Sequence, residues 1–326
     1  VIESQASAKS TAADPSLAEA LDLVEARLAE RLRSDEPRLT EIAAYLVQSG
    51  GKRIRPTVTL VIYRACGGTE LADIVDVAAA LELIHSATLL HDDIIDHSET
   101  RRGKDSAYRK YGLGDTLVTG DFVFSKAFQL CARFEERLIN WAAEACIKLT
   151  EGEVMQARFR KNPEVTVDDY RQIIYRKTAS IFEQGARTAA YLAGAPERTV
   201  AAMAQCGADV GMTFQIVDDL LDVEGDAERT GKPVGLDLRE GNPGLPIVLA
   251  MAKNPEVARV FRMQAPSDAD VASAIAAIRA CGVLEEARAM ALEYGHRAHA
   301  CIAALAPSAD RDQLLAMVDQ LIERAS

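Results

Sequence analysis

Six aspartates stand in two copies of one spacing. Asp92, Asp93 and Asp96 follow Leu89-Leu90-His91, and Asp218, Asp219 and Asp222 follow Phe214-Gln215-Ile216-Val217. Both copies read DDxxD at the end of an apolar helical run. Residues four apart in a helix lie one turn apart on one face, so Asp92 and Asp96 project together, as do Asp218 and Asp222. Like charges at that spacing cost a bare helix about 0.2–0.5 kcal/mol. A single copy is ordinarily a solvated acidic face. Two copies beside Leu and Ile, each followed by basic residues, point instead to divalent cations that prefer oxygen. Mg²⁺ takes one or two carboxylates and completes its shell with water and substrate phosphates.

The basic residues are clustered and interleaved with the aspartates. They are Gly50-Gly51-Lys52-Arg53-Ile54-Arg55-Pro56, Arg101-Arg102-Gly103-Lys104, Arg176-Lys177-Thr178 and Gly231-Lys232-Pro233. Each alone reads as a solvated charge run. Together with two carboxylate pairs they describe a site for diphosphates bridged by metal ions. Aspartates repel a diphosphate; divalent ions reverse the sign, and Arg forks bind the outer oxygens. The net charge of −12 argues against nucleic acid as the main partner, so local clusters must meet any anionic substrate.

The elements that position these residues read as helices throughout. Leu17, Leu21, Val24, Leu28 and Leu32 keep the 3/4 spacing of an amphipathic helix. Pro37 opens a second helix over 39–47, and Gly50-Gly51 ends it. Further helices are expected over 57–66, 71–96, 116–134, 140–159, 167–192 and 197–223, with loops at 98–106 and 225–246. About four more are cut at Pro255, Pro266, Gly282 and Pro307. No strand alternation is visible. Aromatic residues are only 5% of the chain and Ala and Leu dominate, which points to an all-α, single-domain helical bundle. Residues 1–16 are polar and read as a disordered lead-in at a processed start, with the domain over 17–326. Six scattered cysteines with no CxxC pair read as reduced thiols of a cytoplasmic protein. No uninterrupted apolar stretch of about 18 residues is present, so no stable membrane insertion is expected.

The motifs GGKRIRP, ELIHSATLLHDDIIDHSETRRGK, YRKTAS, FQIVDDLLD and GKPVGLDLREG, in that order, make the chain resemble trans-isoprenyl diphosphate synthases of the bacterial long-chain polyprenyl type. By motif the resemblance covers about residues 40–250. It implies a central cavity between helices and Mg²⁺-dependent, successive addition of isopentenyl diphosphate to an allylic diphosphate. It also implies a homodimer and a product for quinone side chains. Carried over by position, Asp92, Asp96 and Asp218 resemble the metal ligands, with Asp93, Asp219 and Asp222 beside them. Arg101, Lys177 and Lys232 resemble the partners of the allylic diphosphate. Lys52, Arg55, His85 and Arg102 resemble the isopentenyl diphosphate site. Thr178 and Gln215 resemble polar groups near the reacting carbons, Gln215 being equally readable as an interhelical hydrogen bond. His91 and His97 read as surface or supporting residues, and His296 and His299 as structural.

Ala87 and Thr88 are small where bulky aromatics would stop elongation early, which resembles octaprenyl to decaprenyl synthases. Thr88 lies about 6 Å and Leu81 about 16 Å along the helix from Asp92. Phe124, Phe128, Cys131 and Ala132 are candidates for a cavity floor, though most read as plain core. Asn242 departs from the Lys often found there, which shifts the expected grip of that loop to Lys232 and Arg239. Gly244-Leu245-Pro246 also departs from the usual Thr-Leu-Pro. The alternatives are a geranylgeranyl diphosphate synthase, a class I terpene cyclase, and a silent subunit of a heteromeric synthase. A cyclase needs neither GGKRIRP nor a second DDxxD, and a silent subunit is expected to lose ligand aspartates, whereas all six remain.

Overall fold

The computed structural model describes residues 16–48, 50–101, 103–225 and 234–325. Arg102 and Lys232 lie outside the described residues, as do 1–15 of the expected lead-in. Ser16 is already structured: its side chain caps the first helix, α1 (Leu17–Arg31), in a capping box with Glu19.

Helices follow one another with short connections: α2 (Pro37–Gln48), α3 (Ile54–Ala65), α4 (Leu71–Ile95), α5 (Ala107–Tyr111), α6 (Leu113–Cys131) and α7 (Glu136–Phe159). Then come α8 (Val167–Ile174), α9 (Ser180–Leu192) and α10 (Glu197–Glu224). The last are α11 (Leu236–Glu240), α12 (Leu245–Met251), α13 (Pro255–Phe261), α14 (Asp268–Ala280), α15 (Val283–Ala303) and α16 (Ala309–Ala325). The all-α expectation holds, with local corrections. Residues 100–101 pair with 104–105 as a minimal antiparallel hairpin, closing the loop that follows the first acidic motif. The expected loop 225–246 contains α11 and the start of α12. The C-terminal part divides into five helices, because Asn254, Ser267 and Gly282 each start a new one. The helix expected over 167–192 is interrupted by a π-helical turn at Tyr175–Ala179, which carries Lys177 and Thr178.

Two buried clusters form the core. The first gathers α1–α4, α6, α7, α9 and the first half of α10 with the ends of α15 and α16; the second gathers α8, the second half of α10 and α11–α15. α10 crosses both, with Val200, Met203, Cys206 and Val210 in one and Met212, Ile216, Leu220 and Val223 in the other. Fully enclosed side chains such as Leu28, Ile62, Ile74, Leu83 and Leu90 contribute about 1.5–3 kcal/mol each.

α4 is the one helix among the described residues long and apolar enough to cross a membrane, yet 78% of its most apolar window is buried inside the bundle. Its buried charges are paired: Asp76 accepts from Arg27 and Arg133, and Glu82 accepts from Arg53. Arg53 sits in the left-handed region (φ 48°) and also binds Glu25 and the Val47 carbonyl, so it ties the turn before α3 to α1, α2 and α4. A guanidinium with that many acceptors offsets the roughly 1 kcal/mol or more that such a backbone costs a residue with a Cβ.

Candidate active site

The two acidic motifs end α4 and α10, and the middle aspartate of each does similar work. The second aspartate of each motif is buried. Asp93 accepts from Arg101 Nε at 2.6 Å and from the Ala107 amide at 3.3 Å, which folds the following loop back onto α4. Asp219 accepts from Tyr170 Oη at 2.7 Å, from Gln215 Nε2 at 2.9 Å and from the Leu245 amide at 2.9 Å. Both are anchors for the chain beyond the motif. Burial pushes Asp219 up to about 7 against the pull of those three donors.

The first and third aspartates differ. Asp92 is half-buried, with Lys177 Nζ 3.9 Å from its carboxylate. Burial raises its pKa, Lys177 lowers it and the like charge of Asp96 raises it again. Asp96 pairs with Arg160 at the end of α7. Asp218 is exposed. Asp222 accepts from the Leu236 and Asp237 amides at 3.0 and 3.2 Å, capping α11.

Lys177 stands between motif and α7, with Nζ 2.7 Å from Glu153. Burial works against its charge, but Asp92 and Glu153 outweigh burial and raise its pKa. Its backbone is gripped from two sides. A Cβ at Gly152 would lie 2.6 Å from the Lys177 nitrogen, and one at Gly211 would lie 2.6 Å from Ala179 Cα. Only glycine lets α7 and α10 approach the π turn this closely. Thr178 Oγ1 donates to Gln215 Oε1 at 2.9 Å, and Gln215 passes the contact on to Asp219. The interhelical bond foreseen for Gln215 is therefore present, and Thr178 and Gln215 together line a crevice of about 120 Å³ with Gln156, Lys177 and Asn242.

Among the described residues, carboxylates outnumber cations here. Glu240 is pushed up to about 7 by burial and by Asp96 and Asp222, so it senses both motifs. Asp237 is raised well above the carboxylate range by burial, Asp222 and Asp219. Such an excess of buried negative charge favours bound cations.

Of the isopentenyl-site candidates, Lys52 lies in the turn before α3, Arg55 on α3 and His85 on α4. Lys52 is exposed and pairs with no carboxylate among the described residues. The Arg55 guanidinium lies 5.3 Å from the Phe182 ring centroid, and its buried Nε has no hydrogen-bond partner among the described residues. Burial lowers its pKa, with Glu82 opposing. An enclosed donor left unpaired is costly, so an anion fits there. Phe182 in turn neighbours Phe214, next to Gln215, at 6.0 Å. His85 is half-buried two turns before Asp92.

Other expectations are corrected. Arg239 turns away to Asp268, 2.7 Å, and takes no part in the crevice. Arg160 stands in its place, since Asn242 accepts from Arg160 Nε at 3.3 Å and from Gln156 at 3.0 Å. His91, read as a surface or supporting residue, is 31% exposed on α4, with Nε2 3.3 Å from the Leu117 carbonyl and 3.4 Å from Asp121 on α6. Phe124 and Phe128 line an open groove between α6 and α7, whereas Ala132 is exposed. Glu153, Gln156 and Arg160 were not picked out from the sequence, although their 3/4 spacing marks one helical face.

A family model described as Polyprenyl synthetase matches residues 36–278. The chain belongs to the polyprenyl synthetase family. It is a prenyltransferase, a synthase of polyprenyl diphosphates. The chain is 36% identical to octaprenyl diphosphate synthase of Escherichia coli K12 over 306 residues, covering 92% of this chain and 94% of that one. Its fold matches the decaprenyl diphosphate synthase of Rhodobacter capsulatus with a TM-score of 0.89 at 35% identity, covering 95% and 97% of the two chains. It also matches a polyprenyl synthase of Caulobacter crescentus CB15, solved with calcium and isoprenyl diphosphate, with a TM-score of 0.86 at 32% identity over 96% and 99%.

Proposed function

We propose that this synthetase condenses isopentenyl diphosphate successively onto an allylic diphosphate, with Mg²⁺ held by Asp92, Asp96 and Asp218. The product is an all-trans diphosphate of octaprenyl to decaprenyl length, for a quinone side chain. The observation that carries the reading is the crevice itself: Lys177 stands 3.9 Å from Asp92, Arg160 pairs with Asp96, and Asp219 of the second motif lines the same crevice as Lys177.

The donor set suits magnesium. Among the described residues no three His, Cys, Asp or Glu side chains converge on one point. An ion that takes one or two carboxylates and shares the rest of its shell with water and diphosphate needs no such cluster. Bound there, it would supply Lewis-acid stabilisation of the leaving diphosphate. The chain's own residues do the remaining work. Lys177 presents its ammonium to the allylic diphosphate from a backbone clamped between Gly152 and Gly211. Arg55 and Lys52 receive the second diphosphate. As the allylic carbon–oxygen bond breaks, the double bond of isopentenyl diphosphate attacks that carbon, and the proton lost from the adduct passes to the departing diphosphate. The Thr178 and Gln215 oxygens face the cationic carbon as fixed dipoles.

Thr88 retains exposed surface, its hydroxyl turned back to the His85 carbonyl at 2.8 Å, while Ala87 is fully enclosed. The small side chain at Thr88 leaves room for a long product. The exposed apolar faces of α6 and α7, with Ile147 60% and Val154 66% exposed beside a groove of about 810 Å³, support a homodimer built on them.

The experiment is product analysis. The protein receives labelled isopentenyl diphosphate, farnesyl diphosphate and Mg²⁺, and the dephosphorylated products are sized. A ladder ending at eight to ten isoprene units is expected, and Asp92→Ala is expected to abolish it with helicity intact. A single geranylgeranyl product overturns the chain length, and full turnover by Asp92→Ala overturns the metal assignment.

A further inference from the structure

We propose that Arg160 is an exchangeable counter-ion of the first acidic motif: it neutralises Asp96 in the empty crevice and turns to the diphosphate oxygens when a metal diphosphate enters. This rests on the magnesium diphosphate reading of the site. Arg160 is the residue at which α7 ends, its backbone already extended (ψ 125°). Its Nη2 donates to Asp96 Oδ1 and its Nε to Asn242 Oδ1 at 3.3 Å. Asn242 is independently fixed, since its Nδ2 donates to Glu240 at 2.8 Å and its Oδ1 also accepts from Gln156. One guanidinium thus spans from the end of α4 to the loop before α12.

Among the described residues, the other cations in and around the crevice are committed elsewhere. Lys177 is shared between Glu153 and Asp92, Arg101 is seated on the buried Asp93, and Arg239 faces Asp268. Arg160 alone among these has as its principal partner a carboxylate assigned to the metal, its second contact being the long one to Asn242. When a divalent ion takes Asp96, the guanidinium loses its acceptor beside an incoming diphosphate. Its planar fork suits phosphate oxygens, and a quarter of its side chain is already exposed. The backbone beneath it is fixed: the Lys161 amide donates to the Gly241 carbonyl at 2.9 Å, and Lys161 Nζ to the Gln264 carbonyl at 2.7 Å. The side chain can therefore move while the loop stays.

The exchange has a signature that a structural role lacks. Removing Arg160 frees Asp96 for the metal but deletes a diphosphate donor, so the two affinities move in opposite directions. Calorimetric titration of the whole chain with Mg²⁺ alone, and then with inorganic pyrophosphate at saturating Mg²⁺, reads both. For Arg160→Gln the Mg²⁺ dissociation constant is expected to fall several-fold and the pyrophosphate constant to rise about 10- to 100-fold, the range of one charge-assisted bond. Arg160→Lys is expected to lie between Gln and wild type for pyrophosphate. Thermal melting verifies that each variant folds. If both constants weaken together in folded Arg160→Gln, or neither moves while wild type binds pyrophosphate with Mg²⁺, the role of Arg160 is overturned and the site reading stands. A wild-type chain that takes up no pyrophosphate with Mg²⁺ overturns the site reading, and this role with it.

Discussion

The grip on the π turn is the most exacting feature of the site, and Gly152→Ala tests it. The added Cβ would lie 2.6 Å from the Lys177 nitrogen and 3.0 Å from both Lys177 Cα and Arg176 Cβ. Ordinary contact begins near 3.4 Å, so α7 and the turn must part by about 0.8 Å. The obstacle is backbone and cannot rotate aside. Lys177 moves with it, away from Asp92 and from Glu153, the residue next to the substitution. A displacement near 1 Å costs about 10²-fold in rate, or about 2.7 kcal/mol of barrier. Stability changes less. Overpacking costs about 1–3 kcal/mol, and replacing a helical glycine by alanine returns about 0.5–1 kcal/mol. The variant is therefore expected to fold, by circular dichroism and urea titration, while kcat for labelled isopentenyl diphosphate falls about 30- to 100-fold. Gly120→Ala is the control, because the three atoms nearest its Cβ all belong to the His91 ring, a side chain that can rotate, and none to backbone. That variant is expected to keep at least half of the wild-type kcat. A folded Gly152→Ala enzyme with kcat within about threefold of wild type would refute the argument that the turn's position sets the rate.

Three further outcomes follow from residues outside the crevice. Arg53→Ala leaves Glu82 buried without its guanidinium and is expected to cost about 3–5 kcal/mol of unfolding free energy in urea; a loss under about 1 kcal/mol contradicts the tie it makes. Thr88→Phe is expected to shorten the product ladder without removing activity, and an unchanged ladder would place the growing chain elsewhere. Val154→Glu puts a charge on the exposed apolar face and is expected to shift the proposed dimer to monomer in sedimentation; an unshifted dimer would move the interface off α7.

Helix type and order were legible because period and punctuation agreed. The 3/4 spacing of apolar residues, Pro37 at one start and Gly194 after α9 carry local physics that the bundle does not override. The π turn was not legible, because Tyr175–Ala179 reads as ordinary helix and the extra width depends on Gly152 and Gly211 arriving from distant helices. Arg160 was hidden for the same reason. Its own helix face is visible in the spacing of Glu153, Gln156 and Arg160, but Asn242, the partner that gives the face meaning, stands 82 residues further along the chain.

The two motifs show where spacing stops being informative. Each has three aspartates at identical intervals, and each buries the middle one. They part at the first, where Asp92 is half-buried and Asp218 exposed, and most sharply at the third. Asp96 meets a side chain that can leave, whereas Asp222 receives two backbone amides, one on each oxygen, from the start of α11. A cap of that kind cannot be given up without unravelling the helix it starts. The path of the chain after the motif makes the difference, since 235–237 return to Asp222 while 101 and 107 return to Asp93. On this geometry the first motif offers a metal ion two carboxylates one turn apart, and the second offers Asp218 with Asp222 held in support. The proposed ligand set of Asp92, Asp96 and Asp218 is therefore unequal between two motifs that are equal in sequence. Replacing Asp222 should disturb the fold around α11 before it disturbs the metal.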